Sequence, residues 1–375
     1  MRPIRLGMVG GGQGAFIGPV HRIAARLDGQ YEIVAGALSS DPGRAAASAE
    51  EIGIDPERAY SDWAEMARAE AAREDGIEAV AIVTPNHLHA GPVRAFLEAG
   101  IHVICDKPLT ATPEEAEALA GVRPARGARF LLTHTYAGYP MVRRARAIVA
   151  SGALGRIRRI HAEYLQDWLT EDTDAKQAAW RTDPARSGAG AIGDIGTHAY
   201  HLMRFVTGLA PEALSARLHS FVPGRAVDDD ASVSLRLEGG AFATLWASQI
   251  AVGRENDVAL SVFGEAAGLE WRHADPETLW FTRFGAPPQK LRRGGPGPCA
   301  EAAAIRVPPG HPEGYLEAFA TLYGDFAASI GGGPAPSAPL PGLVDGLEGM
   351  RFISAVVGSS RADGAWREID LPRQG

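Results

Sequence analysis

Cysteine is nearly missing from this chain: Cys105 and Cys299 are the only two among 375 residues. So sparse a supply gives no disulfide framework and no metal-ligand cluster, and a reducing compartment fits it best. Long hydrophobic runs are missing too. No stretch approaches the ~18 apolar residues of a membrane span. The start, Met1-Arg2-Pro3-Ile4-Arg5-Leu6, runs straight into a short strand with no signal-peptide core. The expectation is a cytoplasmic protein with no membrane partner. An excess of basic charge is also lacking, with 37 Lys and Arg against 45 Asp and Glu and a formal net charge of -8. That balance argues against a general affinity for nucleic acid and points to a small-molecule partner. His21, His87 and His89 do not recur at ligand spacing with acids or cysteines, so no metal site is expected.

What the chain does have is length for two domains. Its first third alternates short apolar runs, Ile4–Val9, Glu32–Leu38, Ala79–Val83, His102–Cys105 and Arg129–Thr133, with stretches of helix formers. Those helical stretches are Ala15–Leu27, Gly43–Glu51, Asp62–Arg73, His89–Ala99 and Pro113–Ala120, with Ser61 and Thr112 as N-caps. The alternation predicts an α/β Rossmann domain, a doubly wound parallel sheet, over residues 1–135. Residues 136–375 predict an α+β domain with a large, mostly antiparallel sheet. Asp230–Leu237 and Ala241–Ile250 flank the hairpin signal Gly239-Gly240, and Val258–Phe263 pairs with Leu269–His273. With Arg156–Tyr164, Ala213–Phe221 and Thr278–Phe284 the sheet has about six or seven strands. Helices are expected at Met141–Ala150, Ile192–Val206, Gly314–Ile330 and Leu343–Arg361, and Gly285–Pro309 reads as a long mobile loop.

Three motifs carry chemistry. Gly10-Gly11-Gly12-Gln13-Gly14 follows an apolar strand, where glycines let the backbone approach a pyrophosphate. Gly10 and Gly12 fit the first two positions of G-x-G-x-x-G; the third falls late, at Gly18, which lengthens the loop Gln13-Gly14-Ala15-Phe16 before Ile17. At the end of the second strand Leu38-Ser39-Ser40-Asp41 offers two readings. Asp41 can bind ribose or cap a helix, and Ser39 and Ser40 with Arg44 can hold a 2′-phosphate, which leaves NAD and NADP both open. Thr84-Pro85-Asn86, with His87 and His89 beyond it, is either a cofactor-binding turn at the carboxyl edge of the sheet or a helix entry. Asp106-Lys107-Pro108 ends the next strand, where the lysine is either an ordinary solvated charge or an ammonium held in a cleft, able to stabilise an alkoxide as hydride leaves. Asp194-Ile195-Gly196-Thr197-His198 puts a carboxylate and an imidazole one helical turn apart. Imidazole, with an ordinary pKa of about 6.5, suits a general base at neutral pH. The plainer alternative is a carboxylate at a helix N-terminus and a packed histidine. His201 is expected to be structural.

In these residues the chain resembles the Gfo/Idh/MocA family along essentially its full length. The family pattern is followed from the glycine loop through Ile17-Gly18-Pro19-Val20-His21, Thr84-Pro85-Asn86-His87-Leu88-His89, Asp106-Lys107-Pro108 with Asp for the usual Glu, and Asp194 to His198. The resemblance implies Lys107, Asp194 and His198 as catalytic residues, with the histidine as acid/base. It also implies hydride transfer at a secondary hydroxyl of a cyclic polyol, sugar or sugar derivative. Homo-oligomers, dimers or tetramers, would form through the open face of the second domain's sheet. The cofactor, NAD or NADP, would lie on Gly10, Gly12, Gln13, Gly14, Phe16, Ile17, Ser39, Ser40, Arg44, Thr84, Pro85, Asn86, His89, Asp106 and Lys107. Substrate contacts are expected from Lys107, Asp194 and His198, and from aromatics with polar neighbours that suit a sugar ring: Trp168, Trp180, Arg181 and Tyr315. Two other functions compete with a simple dehydrogenase. One is a redox-neutral sugar-transforming enzyme with a captive cofactor, which the long glycine loop favours; the other is a ligand sensor without catalysis, which the presence of Lys107, Asp194 and His198 disfavours.

Overall fold

In a computed structural model describing residues 2–171, 182–183, 189–296 and 302–371, the chain divides into two units. The first unit is Met1–Thr135 with Tyr315–Leu347. Its elements are β1 (Ile4–Gly10), α1 (Ile17–Leu27), β2 (Tyr31–Ala37), α2 (Pro42–Ile52), α3 (Trp63–Ala72), β3 (Ala79–Val83), α4 (Ala90–Glu98), β4 (His102–Cys105), α5 (Pro113–Ala120) and β5 (Phe130–Leu132). The strands make a parallel sheet in the order β2-β1-β3-β4-β5. That is the expected doubly wound fold. Every residue of β3 is buried, as a strand covered on both faces requires.

Local chemistry sets the helix starts. Asp41 and Asp62 accept hydrogen bonds from the backbone N–H groups of Arg44 and Glu65, and Thr112 from that of Glu115. Thr112 is the cap expected; for α3 the cap is Asp62 rather than Ser61, because a carboxylate accepts this bond more strongly than a hydroxyl. α1 begins at Ile17, later than Ala15, because the glycine turn occupies the residues before it.

Residues 315–347, which the sequence reading places with the second domain, group with the first unit. Their helix, α8 in chain order (Tyr315–Gly331), buries Phe319, Leu322, Tyr323 and Phe326. The His21 ring meets the Phe319 and Tyr323 rings edge-on at 5.1 and 5.9 Å. The Tyr31 hydroxyl donates to the Tyr323 carbonyl at 2.9 Å, which satisfies a polar group in an otherwise apolar seam.

The second unit is Tyr136–Gly314 with Glu348–Gly375. It holds α6 (Pro140–Ala150), β6 (Ile157–Leu165), a π-helical turn (Ile192–Gly196) leading into α7 (Thr197–Thr207), and β7 (Pro211–His219). β8 (Asp230–Leu237), β9 (Phe242–Ser248), β10 (Asp257–Gly264), β11 (Ala267–Arg272), β12 (Thr278–Arg283), β13 (Gln289–Arg292), the part of α9 (Leu343–Arg361) from Glu348 on, and β14 (Arg367–Glu368) follow. The sheet has nine strands, ordered β13-β12-β11-β10-β6-β9-β8-β7-β14. Only β6 and β9 pair in parallel. Gly239 and Gly240 turn β8 into β9 as expected, and β10 pairs with β11.

β13 and β14 are the strands beyond those expected, and β13 corrects the reading of Gly285–Pro309 as a mobile loop. Its described residues are fastened by Arg293, which is 2% exposed. The guanidinium donates to Glu277, to Glu313 at 3.0 Å and to the carbonyls of Val307 (2.7 Å) and His311. Glu313 in turn accepts from the backbone N–H groups of Arg306 and Val307. A buried guanidinium with this many acceptors holds a proline- and glycine-rich segment that propensity alone leaves loose.

One face of the sheet packs on α7, with Ile160, Ala162, Leu245 and Val262 buried beneath it. The opposite face carries Arg159, His161, Glu163, Trp246, Arg236 and Arg272, with Arg272 bridging Glu163 (3.1 Å) and Asp257 (2.9 Å). Among the described residues no helix is long and apolar enough to cross a membrane, and no His, Cys, Asp and Glu cluster could hold a metal ion.

Candidate active site

The glycine turn and α1 are built into contact. Gly10, Gly11 and Gly14 have φ of +77°, +73° and +76°, where side chains are strained. At Gly18 the constraint is space: a Cβ there would lie 2.3 Å from the Gly11 carbonyl oxygen and 2.6 Å from its Cα. The late third glycine therefore does what the third position of the fingerprint does, letting the helix close on the strand end. Such a cradle, with backbone N–H groups at a helix N-terminus, fits a dinucleotide pyrophosphate. Phe16 stands 60% exposed at the helix entry, with no side-chain cap bond. Gln13 turns toward α2, its N–H donating to Ser48 Oγ at 3.2 Å and its amide to Glu51 at 3.1 Å.

Past β2, Asp41 Oδ1 accepts from the Arg44 N–H at 2.8 Å, so the capping reading of Asp41 has its geometry. The Arg44 guanidinium lies 3.4 Å from Ser39 Oγ, which also accepts from the Asp41 N–H. This leaves two hydroxyls and a guanidinium at the position that meets the adenine ribose in this fold.

Thr84-Pro85-Asn86 and Asp106-Lys107-Pro108 sit at the carboxyl ends of β3 and β4, and His89 joins them. Its ring is fully buried, with Nε2 2.8 Å from the Thr84 carbonyl and Nδ1 2.9 Å from the Pro108 carbonyl. Burial pushes its pKa down, while the two carbonyls, which only accept, favour a proton on each nitrogen. His89 therefore contributes by locking two turns together. The Lys107–Pro108 peptide is cis. Beside it, Asp106 Oδ1 accepts from Thr133 Oγ1 at 2.9 Å and lies 3.8 Å from His21 Nε2, while His21 Nδ1 meets the Tyr323 hydroxyl at 2.8 Å. Burial opposes ionisation of Asp106, but His21, Lys107 and His89 outweigh it and hold its carboxyl well below the usual carboxylate range.

In the second unit Asp194 lies in the π-helical turn and His198 in the first turn of α7, so the two are not on one regular α-helix as the spacing suggested. π-turns inside helices are frequent at functional sites. Asp228 sets the entry to this turn, its carboxylate accepting from the backbone N–H groups of Gly190 (2.9 Å) and Ile192 (2.8 Å). Asp194 Oδ2 accepts from Gln249 Nε2 at 3.0 Å. His198 is 9% exposed and lies among aromatic rings, edge-on to Tyr136 at 5.2 Å and tilted on Tyr164 at 5.8 Å. The arrangement presents a carboxylate fixed by an amide and an imidazole held by ring packing. A hydroxyl-bearing substrate can use both.

Trp168 is 38% exposed, and its indole N–H donates to Gln166 Oε1 at 2.9 Å. Tyr315 starts α8 and packs edge-on against Phe319 at 5.2 Å, in the first unit. Trp180 and Arg181 lie outside the described residues. His201 is a packed residue as expected, stacked on Phe205, with burial pushing its pKa down to about 3. Gln249, Asp228, Tyr136 and Tyr164 went unrecognised in the sequence. Each stands on a different strand or turn, and no local spacing links them to His198.

Residues 4–134 match the family described as "Oxidoreductase family, NAD-binding Rossmann fold", and residues 142–270 match the GFO/IDH/MocA C-terminal domain. The uncharacterized oxidoreductase YfiI of Bacillus subtilis is 34% identical, over 98% of this chain and 97% of its own. An oxidoreductase from Sinorhizobium meliloti is 51% identical, with a TM-score of 0.90, over 98% of this chain and 100% of the other. An inositol dehydrogenase homolog of Azotobacter vinelandii complexed with NAD+ is 37% identical, with a TM-score of 0.93, over 98% of this chain and 97% of the other. It has also been solved with NADH and myo-inositol.

Proposed function

We propose, on the premise that this chain belongs to the GFO/IDH/MocA oxidoreductase family, that it takes hydride from a secondary hydroxyl of a cyclic polyol, sugar or sugar derivative. The enzyme class is an NAD(P)-dependent dehydrogenase of the sugar and polyol type. The observation that carries the substrate class is the setting of His198, an imidazole enclosed by Tyr136 and Tyr164 beside a carboxylate that Gln249 holds in place. A ring with an apolar face and a rim of hydroxyls suits that mixture. The Azotobacter vinelandii homolog with myo-inositol is a relative of that substrate class.

In this reading each residue has one task. The backbone of Gly10–Gly14 and the start of α1 hold the pyrophosphate, and Thr84, Pro85 and Asn86 border the cofactor. A nicotinamide held there would supply the hydride acceptor. His198 takes the hydroxyl proton, a role worth about 10²–10⁴ in rate for a placed general base. Lys107 stabilises the alkoxide charge, and Asp194 binds a neighbouring hydroxyl. Trp168 supplies a platform for the ring. The chain assembles with its own copies through the open sheet face, where Trp246 and Trp280 are 37% and 44% exposed; light scattering on the purified protein checks this.

The deciding assay follows absorbance near 340 nm with NAD and with NADP while inositols, aldoses and glycosides are supplied in turn. Reduction of either cofactor by a member of the panel is the expected result. No reduction by any of them, together with nicotinamide cofactor released from the denatured protein, would replace the dehydrogenase with a redox-neutral enzyme that keeps its cofactor.

A further inference from the structure

Asn256 joins β9 to β10 from a backbone conformation that few residues adopt. Its φ is +52°, in the left-handed region, which asparagine visits more readily than other residues with a Cβ. Strain of this kind, when observed, points to a task for the residue that bears it. Three hydrogen bonds converge on it. Tyr164 Oη lies 3.1 Å from its side chain, Gln166 reaches the same atom, and His273 Nδ1 lies 2.9 Å from its backbone carbonyl.

The direction of these bonds follows from one group that has no choice. An indole N–H only donates, so the Trp168 bond at 2.9 Å makes the receiving atom of Gln166 its oxygen. The other end of Gln166 is then its NH2 group, which donates, and the Asn256 atom it meets is Oδ1. That oxygen, taking Gln166 and Tyr164 together, has both lone pairs engaged. At the backbone, a carbonyl only accepts, so His273 Nδ1 carries the proton and its Nε2 accepts from the Tyr139 hydroxyl at 2.8 Å. The Tyr139 ring lies nearly parallel to Tyr136, and both Tyr136 and Tyr164 pack on His198. Asn256 is itself exposed, and its Nδ2 is the end of the amide left over for a ligand.

We propose that Asn256 determines specificity at this site: its Nδ2 donates to an acceptor oxygen of the hydroxyl-rich ring lying on Trp168, while its Oδ1 holds Tyr164 against His198. This deepens the dehydrogenase reading and rests on it for the class of substrate. The two tasks are separable by mutation. Asn256→Asp keeps an oxygen for Tyr164 and Gln166, tolerates the left-handed backbone, and removes the donor. Asn256→Gly keeps the backbone and removes both.

The experiment uses the full-length protein with the panel member that the wild type oxidises, together with deoxy analogues of that compound. Asn256→Asp is expected to raise KM about tenfold, the scale of one lost hydrogen bond, with kcat within twofold. One deoxy analogue should erase the difference between variant and wild type. Asn256→Gly is expected to lower kcat as well and to displace the His198 ring titration followed by NMR without substrate. A KM within twofold of wild type for Asn256→Asp overturns the reading role. An unmoved His198 titration in Asn256→Gly overturns the tethering role. A wild type that oxidises nothing in the panel refutes the dehydrogenase reading alone. Asn256 is then judged on binding of the same panel followed by tryptophan fluorescence, where equal Kd values in wild type and Asn256→Asp, or no binding at all, overturn it.

Discussion

Replacing Gly18 with alanine tests whether the cradle holds a dinucleotide. The added Cβ would start 2.3 Å from the Gly11 carbonyl oxygen, and ordinary contact begins near 3.4 Å. α1 and the glycine turn must therefore part by about 1.1 Å, and overpacking of this kind costs about 1–3 kcal/mol. The partner is backbone, so no side-chain rotation relieves it. The groups that move are the N–H groups meant for the phosphates, and a hydrogen bond to a charged group contributes about 1.5–3 kcal/mol. Weakening one such bond corresponds to a rise in Kd of about 10- to 100-fold. The assay is titration of NADH fluorescence, with thermal unfolding run in parallel to show that the variant is folded. Gly121→Ala is the control, since its Cβ would stand 3.6 Å from the Ala118 carbonyl oxygen, an ordinary contact. A folded Gly18→Ala protein binding NADH within twofold of wild type would refute the cradle.

Lys107→Ala and His198→Ala should each lower kcat by about 10²- to 10⁴-fold with cofactor Kd changed little; near-wild-type turnover in steady-state kinetics would remove the residue concerned from the mechanism. Arg44→Ala should lower kcat/KM with NADP by about tenfold and leave NAD within twofold, because only the 2′-phosphate can use the guanidinium. Equal loss with both cofactors would show that Arg44 acts on the fold. His201 has a folded pKa near 3, below its unfolded value of about 6.5, so the unfolded chain binds the extra proton as pH falls through that interval. Its contribution to stability therefore falls with pH, and denaturant unfolding from pH 6 to 4 should show a slope about 1.4 kcal/mol per pH unit steeper in wild type than in His201→Phe. Identical slopes would mean that the ring is protonated inside the folded protein.

The nucleotide-binding sheet was legible because its strands are announced locally, by apolar runs and, after β1, β2, β3 and β4, by turn motifs at their carboxyl ends. Lys107, Asp194 and His198, the residues of the proposed site, could be named for the same reason, each lying in a short contiguous motif. The partners that orient them were not. Gln249 reaches Asp194 from the end of β9, Asp228 caps the π-turn from ahead of β8, and Asn256 gathers Tyr164 and Gln166 from the end of β6 and His273 from the end of β11. Such meetings are created by strand order, and nothing in the chain's linear spacing encodes β6 lying between β9 and β10. The π-turn was hidden because 3.6-residue periodicity fits Ile192–Val206 well enough to read as one helix. β13 was hidden by the prolines and glycines around it, whose looseness the single buried Arg293 overrides.

The return of α8 to the first unit has a consequence for recombination. A gene cut after residue 135 would remove the helix that covers His21 and satisfies the Tyr31 hydroxyl, leaving the cofactor-binding half with a bare seam. The second unit is thus an insert within the first, entered after Thr135 and left at Tyr315, with a last segment from Glu348 onward. A chimera that exchanges substrate specificity while keeping the cofactor needs crossovers at each of these points. Splicing two homologous genes at one junction would pair a sheet with a foreign α8, and solubility would be lost before any new specificity could be seen.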